Sequence, residues 1–90
     1  MAKPSKAAIK SQVDNVLIDA SARKPKPTKP LPDGADLSGD LNIGPTHKKL
    51  LSGDYNHIIH SHDSSNFISP SQAGAFTTVK NAVDEVFARI

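Results

Sequence analysis

The chain contains no cysteine and no tryptophan, and its 90 residues include one tyrosine and three phenylalanines. Without cysteine, disulfides and thiolate metal sites are excluded. A chain this short buries only about 60% of its unfolded surface. Small domains usually compensate with disulfides, metals or oligomerisation. The aids left here are a metal held by histidine and aspartate, or association with other chains. Long apolar runs are also missing. None approaches the roughly 20 apolar residues of a membrane span. The basic stretch Met1–Lys10 is not followed by the apolar run of about 7–15 residues that a secretory signal carries. The expectation is one small unit, without a membrane role and cytosolic when synthesised.

Charge is modest in sum and uneven in place. Residues 1–30 carry seven Lys/Arg against Asp14 and Asp19, a net +5. Residues 31–90 carry four basic and seven acidic residues, a net −3, so the chain is +2. Such asymmetry suggests a basic arm that meets an acidic surface or nucleic acid, or a solvated basic tail.

Three segments follow from the pattern: 1–22, 23–69 and 70–90. In the first, Ile9, Val13, Val16, Leu17 and Ala20 form an apolar stripe at helical spacing, so a helix is expected over about 5–20. Ser5 is its candidate N-cap, and Lys10 and Asp14 are four apart and can pair. In the last, Ser69, Pro70 and Gln72 form a capping-box start with proline at the first helical position. Phe76, Val79, Val83, Val86 and Ile90 then recur at alternating spacings of three and four, a heptad seam. One helix is expected over 70–90, its seam facing a partner chain, a second copy or the first helix.

The middle segment is turns, prolines and single hydrophobics. Arg23–Pro32 alternates proline with lysine, which favours an extended polyproline II strap. Asp33–Pro45 is punctuated by Pro32-Asp33-Gly34 and Gly44-Pro45 turns. His47–Ile68 is polar and histidine-rich, with a short strand expected at Asn56–His62. The fold class expected is therefore mostly irregular and extended, with two α-helices at about 5–20 and 70–90. It has little independent core, and its strap is stabilised by partner chains. Leu31, Leu37, Leu41, Ile43, Leu50, Leu51, Ile58, Ile59 and Phe67 would be spaced anchors on neighbours. Together with the seam residues Phe76, Val79, Val83, Val86 and Ile90, Leu31, Leu37, Leu41 and Ile43 are the leading partner-binding candidates.

The densest chemistry lies in His57–Asp63. On a strand, His60 and His62 share a face. Two imidazoles are too few for a closed tetrahedral site, but trimer symmetry can supply more, with Asp63 orienting a ring. A His-bound transition metal at His60 and His62 is thus one reading. Exposed histidines or a pH-sensitive contact are the others. Catalysis has little support. Ser61, His60 and Asp63 are near one another in sequence, but neighbours on an extended chain point apart. No nucleophile elbow or phosphate-binding glycine loop is present. No cofactor is otherwise implied. Calcium at Asp33, Asp36 and Asp40 fails on spacing. Counted from Asp33, the next EF-hand ligand and glycine positions fall on Ala35, Leu37 and Ser38.

The strap has two functional readings. Lys24-x-x-Pro27-x-x-Pro30 matches a basic proline ligand of aromatic grooves. Alternatively Lys24, Lys26 and Lys29, with Lys3, Lys6, Lys10 and Arg23, can neutralise phosphates. No aromatic residue is interleaved to stack on bases. A linker lying in an acidic groove of a protein partner is the plainer reading.

In style the chain resembles the small structural proteins of tailed-bacteriophage virions: cement proteins, tail adaptors and fibre-anchoring pieces. The resemblance rests on the strap with terminal helices, on the HIIHSHD segment with its H-x-H at His60 and His62, and on the C-terminal heptad. It lacks the repeated H-x-H or glycine-rich repeats of a long fibre shaft. What it implies is a non-enzymatic, multi-copy virion protein that straps or anchors neighbouring subunits. A small nucleic-acid-associated protein and a trimer with an axial histidine metal site are the alternatives.

Overall fold

Ser5 starts the first helix as the sequence predicts. Its backbone is extended (φ −69°, ψ 154°), and its hydroxyl accepts from the Ala8 N–H at 3.2 Å. That satisfies one of the amides a helix start leaves unpaired. Helix α1 (Lys6–Ala20) buries Ile9, Val13, Leu17 and Ala20 along one stripe, with Asp14 among them. The computed structural model describes residues 4–62 and 64–90.

After α1 the chain turns back along its own helix. Lys26 Nζ donates to the carbonyls of Ile18, Asp19 and Ser21 at 3.1–3.2 Å. Lys29 Nζ donates to Ser11 Oγ at 2.7 Å. The Leu31 N–H donates to buried Asp14 at 3.2 Å, and Lys10 Nζ donates to the Leu31 carbonyl at 2.6 Å. The segment expected as an extended strap held by partner chains is instead folded back on this chain's own α1, with bends at 24–25 and 29–30. The Lys24–Pro25 and Lys29–Pro30 peptide bonds are cis.

A closed loop follows. Leu37 and Ile43 are tied by an Ile43 N–H to Leu37 carbonyl bond of 2.9 Å, and both are buried. Asn42 takes the left-handed conformation (φ 55°) that lets the loop close, one that asparagine tolerates better than most residues. The short helix α2 (Pro45–Leu50) leads through Leu51 directly into α3 (Ser52–Ser61). Helices α4 (Pro70–Ala75) and α5 (Val79–Ala88) complete the chain, making five helices among the described residues.

The single C-terminal helix expected over 70–90 is broken. Its start is as predicted: Ser69 and Gln72 form a complete capping box. The break is at Phe76–Thr78, where the backbone is extended. Thr78 caps the new helix by accepting from the Asn81 N–H at 3.2 Å. The loop at 33–37 pairs with the same stretch. Leu37 N–H donates to Thr77 carbonyl at 2.9 Å, while Val79 and Lys80 N–H groups donate to Ala35 and Asp33 carbonyls at 3.0 and 2.9 Å. The loop thus satisfies the free amides of Val79 and Lys80 and the Thr78 cap that of Asn81, a need that one continuous helix would not have.

The largest correction concerns the core. Among the described residues twenty hydrophobic ones are buried, and ten of them, from Leu31 to Ile68, come from the segment expected to lack a core. The radius of gyration is 12.1 Å. A folded domain of this length has about 12 Å, an unfolded chain about 30 Å. The chain is a compact helical globule, so a mostly extended chain with little independent core is overturned. The apolar residues of the middle segment are sparse in sequence, but the loops converge them onto the stripes of α1 and α5.

Candidate docking cleft

The folded-back proline segment leaves a cleft of about 690 Å³. Pro25, Pro27, Pro30 and Pro32 line it, with Leu31, Leu41, Ala35, Gly34 and Thr28; Arg23, Lys26 and Asp40 supply charge. Its shape follows from the polar clamps beneath it. Lys26 spends its three donors on the C-terminal carbonyls of α1, where a cation is also favoured by the helix dipole. Ser21 Oγ donates to the Leu41 carbonyl at 2.5 Å, closing the far side.

The cations expected to meet phosphates are largely engaged within the chain. Lys10 pairs with Asp14 at 2.7 Å. Lys26 and Lys29 hold the strap to α1, and Lys6 pairs with Asp84. The exposed side chains of Arg23 and Lys24 have no polar partner among the described residues. Lys3 lies outside them.

Asp84 also takes Lys80 on its second oxygen at 2.6 Å. Hydrogen bonds from Lys6 and then Lys80 hold its carboxyl below the usual carboxylate range. Donating that bond to the Asp84 carboxylate raises Lys80 in turn. The cluster links α1 to α5 and borders a smaller hollow of about 350 Å³ with Asp33 and Lys10.

The histidines do not sit on a strand. Asn56–Ser61 belongs to α3, and His62 is its C-cap. Residues two apart on a helix lie on nearly opposite sides. His60 Nε2 is 3.0 Å from the Asn66 carbonyl, whereas His62 Nε2 is 3.0 Å from Gln12 Oε1. The shared face on which the metal reading rested is absent. Asp63 lies outside the described residues. Among the described residues no group of three or more His, Asp or Glu side chains converges to hold a metal. The acidic turn is closed on itself: Asp36 N–H donates to Asp40 Oδ2 at 2.8 Å and Ser38 N–H to Asp36 Oδ1 at 3.3 Å.

The residues expected to anchor on neighbours divide cleanly. Leu31, Leu37, Leu41, Ile43, Leu51, Ile58 and Ile59 are buried in this chain's own core, as are Phe76, Val79, Val83 and Val86 of the seam. Ile90 is partly buried against it. Leu50 and Phe67 stay outside, 70% and 64% exposed. The proline walls and Arg23 were not singled out in sequence as parts of a cleft. The signal was the Lys/Pro alternation itself, which reads as a strap until the contacts to α1 are known.

No protein-family model matches the chain, and neither the curated proteins nor the solved structures include a match.

Proposed function

We propose that this chain is a non-enzymatic assembly protein that folds by itself and docks its neighbours through the proline-walled cleft. The virion is the setting that the sequence resemblance suggests. The observation that carries the reading is the cleft, with four proline rings as walls and Arg23 at its edge. Proline walls are stiff and cost little ordering on binding, and an arginine side chain without a polar partner among the described residues favours acidic or aromatic groups on a docking surface. Docking on protein ranks ahead of nucleic acid because Lys10, Lys26 and Lys29 already serve contacts within the chain. Sequence-independent phosphate binding needs several free cations.

Isolation of the native assembly from the producing cell tests the reading. Quantitative mass spectrometry should find the chain at a fixed ratio to a larger protein, with crosslinks from Lys24. A chain recovered free, or one whose binding to DNA or RNA falls steeply with salt, overturns it in favour of the basic-protein alternative.

A further inference from the structure

We propose that Asp33–Gly34 is a self-modifying turn, in which Asp33 converts to a β-linked isoaspartate and thereby releases the start of α5. Asp33 is the only aspartate followed by glycine. Both residues are exposed at the centre of a turn closed by the Ala35 N–H to Pro32 carbonyl bond of 3.1 Å. That bond bypasses Gly34, whose N–H has no hydrogen-bond partner among the described residues. The Asp33 carboxylate has no hydrogen bond or ion pair among them either. A Cβ added at Gly34 would meet nothing within 4 Å. Nothing around the glycine therefore hinders the backbone rotation that brings its nitrogen to Asp33 Cγ, and glycine itself is the residue freest to make it. The other described aspartates are placed differently. Asp14, Asp36, Asp40 and Asp84 are held by hydrogen bonds or ion pairs. Asp19 and Asp54 lie within α1 and α3, where the helix fixes the amide that follows.

The step needs no partner but water. The Gly34 nitrogen bonds to Cγ of the protonated Asp33 carboxyl, and the amide proton and the carboxyl hydroxyl leave together as water. A succinimide ring closes. Water then adds back at one of its two carbonyls. Cleavage of the bond from nitrogen to Cγ restores aspartate. Cleavage of the bond from nitrogen to the main-chain carbonyl carbon leaves the chain running through Cγ, a methylene longer, with that carbonyl now a free carboxylate. The net change is an isomerisation, with nothing oxidised or reduced. Its place in the fold gives it a consequence. The Asp33 carbonyl accepts from the Lys80 N–H at 2.9 Å, and the Ala35 carbonyl accepts from the Val79 N–H at 3.0 Å. A methylene inserted between these acceptors moves them out of register, so Val79 and Lys80 lose the partners that their helix start requires. Pro32, Gly34 and Ala35 also line the large cleft, so the same event reshapes one of its walls.

Ageing of the full chain in warm neutral buffer tests this, with a synthetic peptide spanning 29–38 as the unrestrained reference. A protease that cuts before aspartate but not before isoaspartate reads residue 33. Isoaspartyl methyltransferase with a labelled methyl donor measures the product. Cutting before Asp33 should be lost in the folded chain at a rate within about tenfold of the peptide, a ratio that reports local opening of the turn. Cutting before Asp36 and Asp40 should persist. Gly34→Ala should slow the loss by roughly tenfold or more, because a Cβ hinders attack by that nitrogen. Circular dichroism of that variant should be unchanged, since Gly34 does not have positive φ. In the isoaspartate fraction, hydrogen exchange should quicken at the Val79 and Lys80 amides while α1 keeps its protection. A folded chain more than about tenfold slower than the peptide, or one indifferent to Gly34→Ala, overturns the site. An isoaspartate fraction whose Val79 and Lys80 amides stay protected overturns the release of α5.

Discussion

Asp14 and Leu31 are 17 positions apart and joined by a hydrogen bond of 3.2 Å from the Leu31 N–H to Asp14 Oδ2. The carboxylate is 1% exposed, and its ion-pair partner Lys10 also donates to the Leu31 carbonyl. One buried ion pair thus satisfies both main-chain groups of the residue that ends the strap. Removing the carboxylate strands an amide and an ammonium. Asp14→Ala should cost about 3 kcal/mol in urea unfolding. Asp14→Asn should cost less, because an amide oxygen can still accept from Leu31. A loss under about 1 kcal/mol for Asp14→Ala would show that the strap is held by something else.

Tyr55 presents the opposite case. Its hydroxyl is buried without a hydrogen-bond partner among the described residues, and its ring sits 5.5 Å from that of Phe76. The ring packs well while the oxygen is desolvated for no return. Tyr55→Phe should therefore stabilise the protein by about 1–2 kcal/mol. Burial, and then the charge of Asp54, pushes the phenol above its ordinary value. The unfolded chain ionises near pH 10 while the folded chain still holds its proton. This contribution is complete below that pH and is lost as pH rises beyond it. Tyr55→Phe should remove that part of the alkaline decline. Phenolate absorbance reads the group directly, since Tyr55 is the only tyrosine.

The legible parts of the sequence were those written in local chemistry. The stripe Ile9, Val13, Leu17 and Ala20 gave α1 with its Ser5 cap, and Ser69, Pro70 and Gln72 gave the start of α4. The Lys10–Asp14 pair was legible too. What was not legible depends on contacts between distant residues. The loop at 33–37 pairs with 77–80 and breaks an otherwise continuous seam. Helix α3 places Tyr55, Ile58 and Ile59 inward, a spacing that the alternation of His60 and His62 obscured. The cleft also needed tertiary information, because Lys26 and Lys29 read as free cations until α1 is seen to engage them.

Lys26 distinguishes these two roles directly. Its ammonium meets three carbonyls at the end of α1. Lys26→Met keeps the aliphatic stem and loses those bonds, so stability should fall by about 1 kcal/mol. A lysine kept for phosphate would leave the denaturation midpoint unmoved and alter only nucleic-acid affinity.

The Lys6–Asp84–Lys80 cluster sets an acid limb. The folded carboxyl of Asp84 is held below its unfolded value. Its stabilising contribution is present above the unfolded value, near pH 4, and is lost as pH falls through the folded one. Lys80 is raised, so its contribution is present below its unfolded value and is lost as pH rises through the folded one. Asp84→Asn should flatten the acid limb between wild type and variant. Because Asp84 is one-third exposed and Lys80 mostly exposed, the difference should shrink in high salt. An acid limb of unchanged slope in the variant would assign acid sensitivity elsewhere.

The C-terminal seam offers the sharpest test of the fold itself. A heptad facing another chain and a stripe facing the chain's own core make different predictions for one substitution. Val79, Val83 and Val86 are at most 3% exposed within a single chain. Val86→Ala should cost about 2 kcal/mol through the cavity left behind. That loss should be the same at every protein concentration. An intermolecular seam would instead give a midpoint that falls on dilution, since dissociation and unfolding would then be one event. A loss that depends on concentration would return Val79, Val83 and Val86 to an interface and require α5 to turn outward.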